Sequence, residues 1–324
     1  MLDNINKIQQ LNLPWIESPF FDQLLAQSNL DEETKKKVKF FADSGYLIIE
    51  TEIPNFDRVA EQINNNLKSH YIDPGRILDA WEFNDDVKII ATSPKILSIL
   101  KTLYQREPIP FQTLNFPKGT EQRTHSDAIH FHSVPAGFMC GVWVALEDID
   151  VNNGPLHYYP GSHKLSIFDL SNLGINGSYQ KHAYEYYSMY EDLIESLISH
   201  EQLKKVDICI RKGQALIWAA NLLHGGSPIL DHTRSRHSQV THYYFDNCLY
   251  YTPLLSDPFL KRIYLKKITN IATGKVVNHY YNGQEITFDW AEKSLKLAKA
   301  FLKRRFQFGK SREQGTGNSL EDNF

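Results

Sequence analysis

Cysteine is scarce in these 324 residues: Cys140, Cys209 and Cys248 are the only three, and no two form a CxxC pair. They are too few and too scattered for a disulfide framework or a thiolate zinc cluster, and they read as reduced thiols, which fits an expectation of a cytoplasmic protein. Any metal must then be held by histidine and carboxylate. Neither sign of charge is in excess. The 35 Lys and Arg against 38 Asp and Glu leave a net charge of -3, which exerts no long-range pull on polyanions and argues against a nucleic-acid partner. Long apolar runs are missing as well: none approaches the roughly 18 residues of a membrane span. The opening MLDNINKIQQLNLPW lacks the charged-then-apolar layout of a signal peptide, so no membrane partner is expected.

What the chain does have changes in texture near residue 105. Before it, LDEETKKKVKFFADSGY offers an acidic cap, apolar residues at helical spacing and Gly45 as a stop, and GYLIIET reads as a short strand. NFDRVAEQINNNLKSHY and SPKILSILKTLYQ read as further helices, the second opened by Ser93 and Pro94. After Pro108, β-branched and aromatic runs such as PFQTLNF, GFMCGVWVALEDI, GQALIWA and SRHSQVTHYYF alternate with Gly, Pro and Asn turns, the pattern of a barrel or jelly roll. A polar, Tyr-rich and helical insert over about 168–200 interrupts them and is expected to cover the barrel mouth and select the substrate. A hairpin near 270–286, a helix over 289–306 and a mobile tail over 308–324 complete the reading. The expectation is one domain over 1–307 with a helical region at about 19–105.

The densest chemistry lies in QRTHSDAIHFHSV, residues 122–134. Residues two apart on a strand share a face, so His125 with Asp127, or His130 with His132, could aim at one cation. A cupin-type site would follow HxH with a glutamate, and 133–140 contain no carboxylate. His130 and His132 are therefore assigned to flanking loop. The 2-His-1-carboxylate triad of non-haem Fe(II) enzymes needs His-x-Asp plus a distant His. His224 in GQALIWAANLLHGGSP supplies one, followed by glycines that permit close approach. Arg236 lies twelve positions further on, suited to a bidentate grip on a dicarboxylate; Arg234, two positions earlier, is its competitor. His157 and His163, set among Gly154, Pro155, Pro160 and Gly161, are assigned structural roles.

HSD, GVWVALEDIDVNNGPLHYYPGSHK, KGQALIWAANLLHGGSP and the arginine of SRHSQVTHYY, in this order, resemble the phytanoyl-CoA dioxygenase-like branch of the Fe(II)/2-oxoglutarate oxygenases. The resemblance implies a mainly β fold, a double-stranded β-helix (jelly roll, cupin-like) with flanking helices. It implies His125, Asp127 and His224 as iron ligands and Arg236 as the 2-oxoglutarate clamp. Gln112, Trp143 and Ser227 match positions lining the co-substrate pocket, although HGGSP carries one glycine more than the family's usual spacing before Ser227. The implied cofactors are Fe(II), 2-oxoglutarate and O2; the implied reaction is hydroxylation of a small-molecule C–H with release of succinate and CO2. No loop for coenzyme A phosphates stands out. Two other classes use the same features: a Zn(II) hydrolase or isomerase, in which Arg236 would have no dicarboxylate to bind, and a non-catalytic jelly-roll binding protein.

Overall fold

Capping side chains set the boundaries of the early helices. The computed structural model describes residues 11–72, 75–175, 186–257 and 260–287. In it α1 (Phe21–Gln27) leads to α2 (Glu32–Ser44), where the Asp31 carboxylate accepts from the Thr34 amide at 2.9 Å and Gly45, at φ 81°, ends the helix. The released chain becomes β1 (Tyr46–Glu50). α3 (Phe56–Leu67) buries Val59, Ala60, Ile63 and Leu67, one stripe at helical spacing. After the short β2 (Ile77–Leu78), α4 (Asp85–Ala91) is capped by Asn84, which accepts from Val87 N–H, and α5 (Pro94–Tyr104) starts at Pro94. The sequence reading did not separate α1 and α4 from the general helical texture; at seven residues each they are too short to show a period.

The β region comprises β3 (Pro108–Phe116), β4 (His132–Val134), β5 (Met139–Ala145), β6 (Leu156–Tyr158), β7 (Val206–Ile208), β8 (Gln214–Ala219), β9 (His224–Gly226), β10 (Ser238–Phe245) and β11 (Leu249–Tyr251). Six strands form an antiparallel sheet in the order β1-β8-β5-β10-β3-β2, and three form a smaller one, β7-β6-β9. The central strands are buried on both faces, which is why they read as nearly unbroken apolar runs. Val142, Val144, Ala215, Ile217 and Tyr243 turn toward the helices. Trp143, Ala145, Leu216, Trp218 and Val240 turn the other way, where they meet Tyr158 and Ile208 of the smaller sheet. Two sheets closing on a shared core make the double-stranded β-helix expected from the sequence.

The insert carries α6 (Tyr187–His200), whose Tyr190 and Ile194 pack against Ile129 and Leu223. Residues 176–185 of the insert, the expected helix over 289–306 and the tail over 308–324 lie outside the described residues. The chain divides into units of 1–284 and 285–324, and all the site residues belong to the first.

Candidate metal centre

Two backbone hydrogen bonds bring the two histidines of the centre together. His125 N–H donates to His224 O at 2.9 Å and His224 N–H returns to His125 O at 3.0 Å, an isolated antiparallel bridge. The glycines after His224 make room for it: a Cβ on Gly226 would stand 2.9 Å from the Glu121 nitrogen, and one on Gly225 would stand 2.7 Å from Gln122 O. HSD is thus not part of a regular strand, as the spacing argument had it. His125 sits in the bridge, and Asp127 opens a 3-10 turn (Asp127–Ile129) in which the Ser126 hydroxyl accepts from Ala128 N–H. From this turn the carboxylate faces both His125 and His224.

His125, Asp127 and His224 are all buried, and their donor atoms lie within 4.8 Å of one another. Asp127 Oδ1 is 3.8 Å from His125 Nε2, and Oδ2 is 3.8 Å from His224 Nε2. Each imidazole is oriented from behind. His125 Nδ1 lies 2.9 Å from Arg123 O and His224 Nδ1 lies 2.8 Å from Leu222 O, so Nδ1–H donates and the Nε2 lone pair is left for the centre. Burial, and then the facing His224, push the His125 imidazole down to about 4, and burial lowers His224 as well. Burial acts in the opposite sense on Asp127, but the imidazoles of His224, His242 and His125 outweigh it and hold the carboxyl below its usual range. Two neutral imidazoles and one carboxylate facing a common point are the donor set that a first-row divalent metal takes.

Two residues that sequence reasoning did not single out complete this arrangement. The Trp218 indole donates to Asp127 Oδ2 at 2.8 Å, and His242 Nε2 lies 3.7 Å from the same oxygen. Gly141, directly opposite Trp218 in the β5–β8 pairing, is the reason the indole fits: a Cβ there would stand 2.1 Å from Trp218 Cζ2. A glycine in the middle of MCGVWVA was the available signal, since an interior strand glycine marks a close approach.

The cluster opens into a cavity of about 520 Å3 that is also lined by Gln112, Trp143, Arg236 and His242. Arg236 is 2% exposed and precedes β10 rather than lying on it. Its Nη1 donates to Gly154 O at 3.1 Å and Nη2 to Lys118 O at 3.4 Å, while Nε is buried with no hydrogen-bond partner. Its guanidinium carbon stands 5.3 Å from the Trp143 ring, and burial pulls its pKa down to about 10. Arg234, the competitor, pairs with Asp150 at 2.8 Å outside the cavity lining. Gln112 Oε1 accepts from His242 Nδ1–H at 3.0 Å, which leaves the amide nitrogen as a donor. Ser227 departs from the expectation: its hydroxyl bonds Asp207 and lies 3.2 Å from His157 Nδ1, and it is not among the cavity's lining residues. The additional glycine puts Gly225 and Gly226 at the wall instead. His130 lines the cavity 3.2 Å from the Tyr187 hydroxyl, whereas His132 lies on β4 against Tyr251.

Comparison with known proteins agrees with this architecture. The family model for phytanoyl-CoA dioxygenase (PhyH) matches residues 23–238. A phytanoyl-CoA dioxygenase domain-containing protein 1 of Danio rerio is 34% identical over 152 residues, covering 45% of this chain and 48% of that protein, so the chain spans about half the length of such relatives. The peroxisomal phytanoyl-CoA dioxygenase of Homo sapiens is 23% identical over 244 residues, covering 65% of this chain and 69% of that protein. Among solved structures, the non-heme alpha-ketoglutarate-dependent carbocyclase SnoK of nogalamycin biosynthesis superposes with a TM-score of 0.55 at 17% identity, over 68% of this chain and 87% of that one. The epimerase SnoN, solved with Fe3+ and alpha-ketoglutarate, gives 0.53 at 20% identity over 79% and 96%. Identities this low speak to the fold. With the family model matching residues 23–238 of 324, the chain belongs to the phytanoyl-CoA dioxygenase (PhyH) family.

Proposed function

We propose that the protein is an Fe(II)- and 2-oxoglutarate-dependent dioxygenase that hydroxylates an unactivated C–H bond of a small molecule. The observation that carries this reading is the convergence of His125, Asp127 and His224 in one cavity with a buried Arg236 whose Nε has no hydrogen-bond partner. Both halves fit the groups they would hold. Two Nε2 lone pairs and a carboxylate suit Fe(II) and, as only three donors, leave positions for co-substrates. A guanidinium with donors to spare, Nε among them, suits the distal carboxylate of a diacid.

In this mechanism His125, Asp127 and His224 hold the metal, and Arg123 O and Leu222 O keep the two imidazoles in the tautomer that can bind it. Trp218 fixes the Asp127 carboxylate through Oδ2. Arg236 would neutralise the far carboxylate of 2-oxoglutarate against the Trp143 wall, and Gln112, held by His242, would offer its amide N–H elsewhere on the cavity lining. Leu114, Phe116 and Val240 make that part of the cavity apolar and exclude water. A bound Fe(II) would supply the coupling of O2 to oxidative decarboxylation of 2-oxoglutarate, in which one oxygen atom would go to succinate and one to the substrate C–H, with CO2 released. No side chain has to serve as general acid or base for this chemistry.

Incubation of the Fe(II) protein with 2-oxoglutarate, isotope-labelled dioxygen and a deproteinised small-molecule extract tests the reading. One labelled oxygen should appear in succinate, and His224→Ala should remove the signal. Product formation that needs neither dioxygen nor 2-oxoglutarate would favour the hydrolase class instead.

A further inference from the structure

The cavity has a second cation, supplied by a segment beyond the residues that the family model matches. Lys266 lines it, half-buried, with Nζ 4.5 Å from the centre of the Phe131 ring. Its backbone is pinned on both sides: the amide donates to Tyr250 O at 3.0 Å, and the carbonyl accepts from His279 Nε2–H at 2.9 Å. His279, 1% exposed, in turn accepts from Tyr250 N–H through Nδ1. The lysine is therefore placed and not trailing in solvent.

Among the described residues no carboxylate lies within ion-pair distance of this ammonium. Asp79 acts on it only at longer range, with Oδ1 already engaged by Thr113 N–H and the Trp81 indole. Burial lowers the lysine to about 8, partly offset by Asp79, so at neutral pH it remains mostly charged. A desolvated ammonium inside a cavity is costly unless an anion meets it. Arg76, at the exposed rim of the same cavity, adds positive potential at the entrance.

Arg236 and Lys266 face different walls of the cavity: the guanidinium stands against Trp143 and Phe116, at 5.3 and 6.0 Å, and the ammonium rests on Phe131, which packs on Phe111 at 5.4 Å. With Arg236 assigned to the diacid, Lys266 is left to meet a different anion. Lys266 itself rests on Phe131, and the same cavity is also lined by Leu255, Tyr187 and Tyr264.

We propose that the primary substrate is an organic monocarboxylate whose carboxylate is held by Lys266, with its hydrocarbon body along Phe131 toward the His125–Asp127–His224 cluster. This rests on the oxygenase reading above. One ammonium matches one charge; a phosphate monoester brings more than one, and the neutral carbonyl of a thioester would leave the ammonium unmatched.

The test uses the anaerobic Fe(II) protein saturated with 2-oxoglutarate. Compact carboxylic acids, from butyrate to 3-phenylpropionate, are titrated calorimetrically, each beside its primary amide, and phenyl phosphate is included. At least one acid should bind tenfold or more tightly than its amide. Lys266→Met should bring the pair within twofold while 2-oxoglutarate still binds, and Lys266→Arg should retain the preference. Amides that bind as well as the acids, a preference that survives in Lys266→Met, or phenyl phosphate binding more tightly than every acid would each overturn the proposal. Failure of 2-oxoglutarate to bind the native Fe(II) protein would overturn the oxygenase reading itself, and this inference with it.

Discussion

The two ends of the cavity are built differently. At the Arg236 end, β3, β5 and β10 pair over long registers that fix Gln112, Leu114, Phe116, Trp143 and Val240, and Arg236 enters just before β10. At the Lys266 end the wall comes from Tyr187 at the start of α6 and from Thr252, Leu255, Tyr264 and Lys266 after β11, held by side-chain to backbone bonds such as that of His279. The first construction fits a constant task, holding one metal and one diacid in a fixed relation. The second could change residue by residue without disturbing the sheet, which is where a family sharing one chemistry would place differences in substrate.

The largest expected effect lies between the two ends. Asp127→Ala should abolish succinate formation, with a stability loss limited to about 1–3 kcal/mol for the Trp218 donor left unpaired; chemical denaturation and mass spectrometry read the two effects. If Asp127→Ala turned over at the native rate, both ends would have lost their common point. Next comes the pair of neighbouring arginines. Removing a buried charge partner costs about 2–5 kcal/mol, so Arg236→Met should raise the KM for 2-oxoglutarate by at least ~30-fold. The exposed Arg234–Asp150 pair is worth about 0–1 kcal/mol, and Arg234→Met should leave that KM within a few-fold. Equal effects would mean that the guanidinium that matters was misassigned.

A smaller effect is expected one contact out. Trp218→Phe keeps the ring against Gly141 but removes the donor to Asp127, and loss of such an outer partner typically costs 10–100-fold in metal affinity. Fe(II) titration measures it, and unchanged affinity would show that the indole merely packs. The smallest effect is on stability against pH. Burial holds His132, His157 and His163 at about 4 in the fold against an ordinary 6.5. Above 6.5 folded and unfolded chains are both neutral there and the stability is fully present. As pH falls through the window toward 4 the unfolded chain takes up protons first, at most ~1.4 kcal/mol per pH unit for each imidazole. The melting temperature of chelator-treated protein should therefore fall between pH 7 and 5; a flat profile would contradict these buried neutral rings.

Much of the Arg236 end was legible because its residues sit in or beside strongly patterned segments. His125, Asp127, His224, Arg236, Gln112 and Trp143 were named from motif and order, and the structure gathers them around one cavity. The route was less legible: HSD reaches the cavity through a bridge and a 3-10 turn, which spacing alone cannot distinguish from a strand. Trp218 escaped notice because a tryptophan in QALIWA reads as core, and only the glycine opposite it marks the close approach. Ser227 was displaced by one position of backbone, and one position is enough to turn a side chain to the other face. Lys266 had no local signal at all. Its meaning comes from Phe131, more than a hundred residues away, and from the lack of a carboxylate within ion-pair distance among the described residues, which are properties of the folded chain.

The central claim is that one metal and one diacid share this cavity, held by His125, Asp127, His224 and Arg236. Its most direct test is anaerobic addition of 2-oxoglutarate to the Fe(II) protein, followed by visible absorption. The account predicts a weak charge-transfer band that requires both components, disappears in His224→Ala and needs far more 2-oxoglutarate in Arg236→Met. An unperturbed spectrum in the native protein, or a band that persists unchanged in His224→Ala, would contradict it.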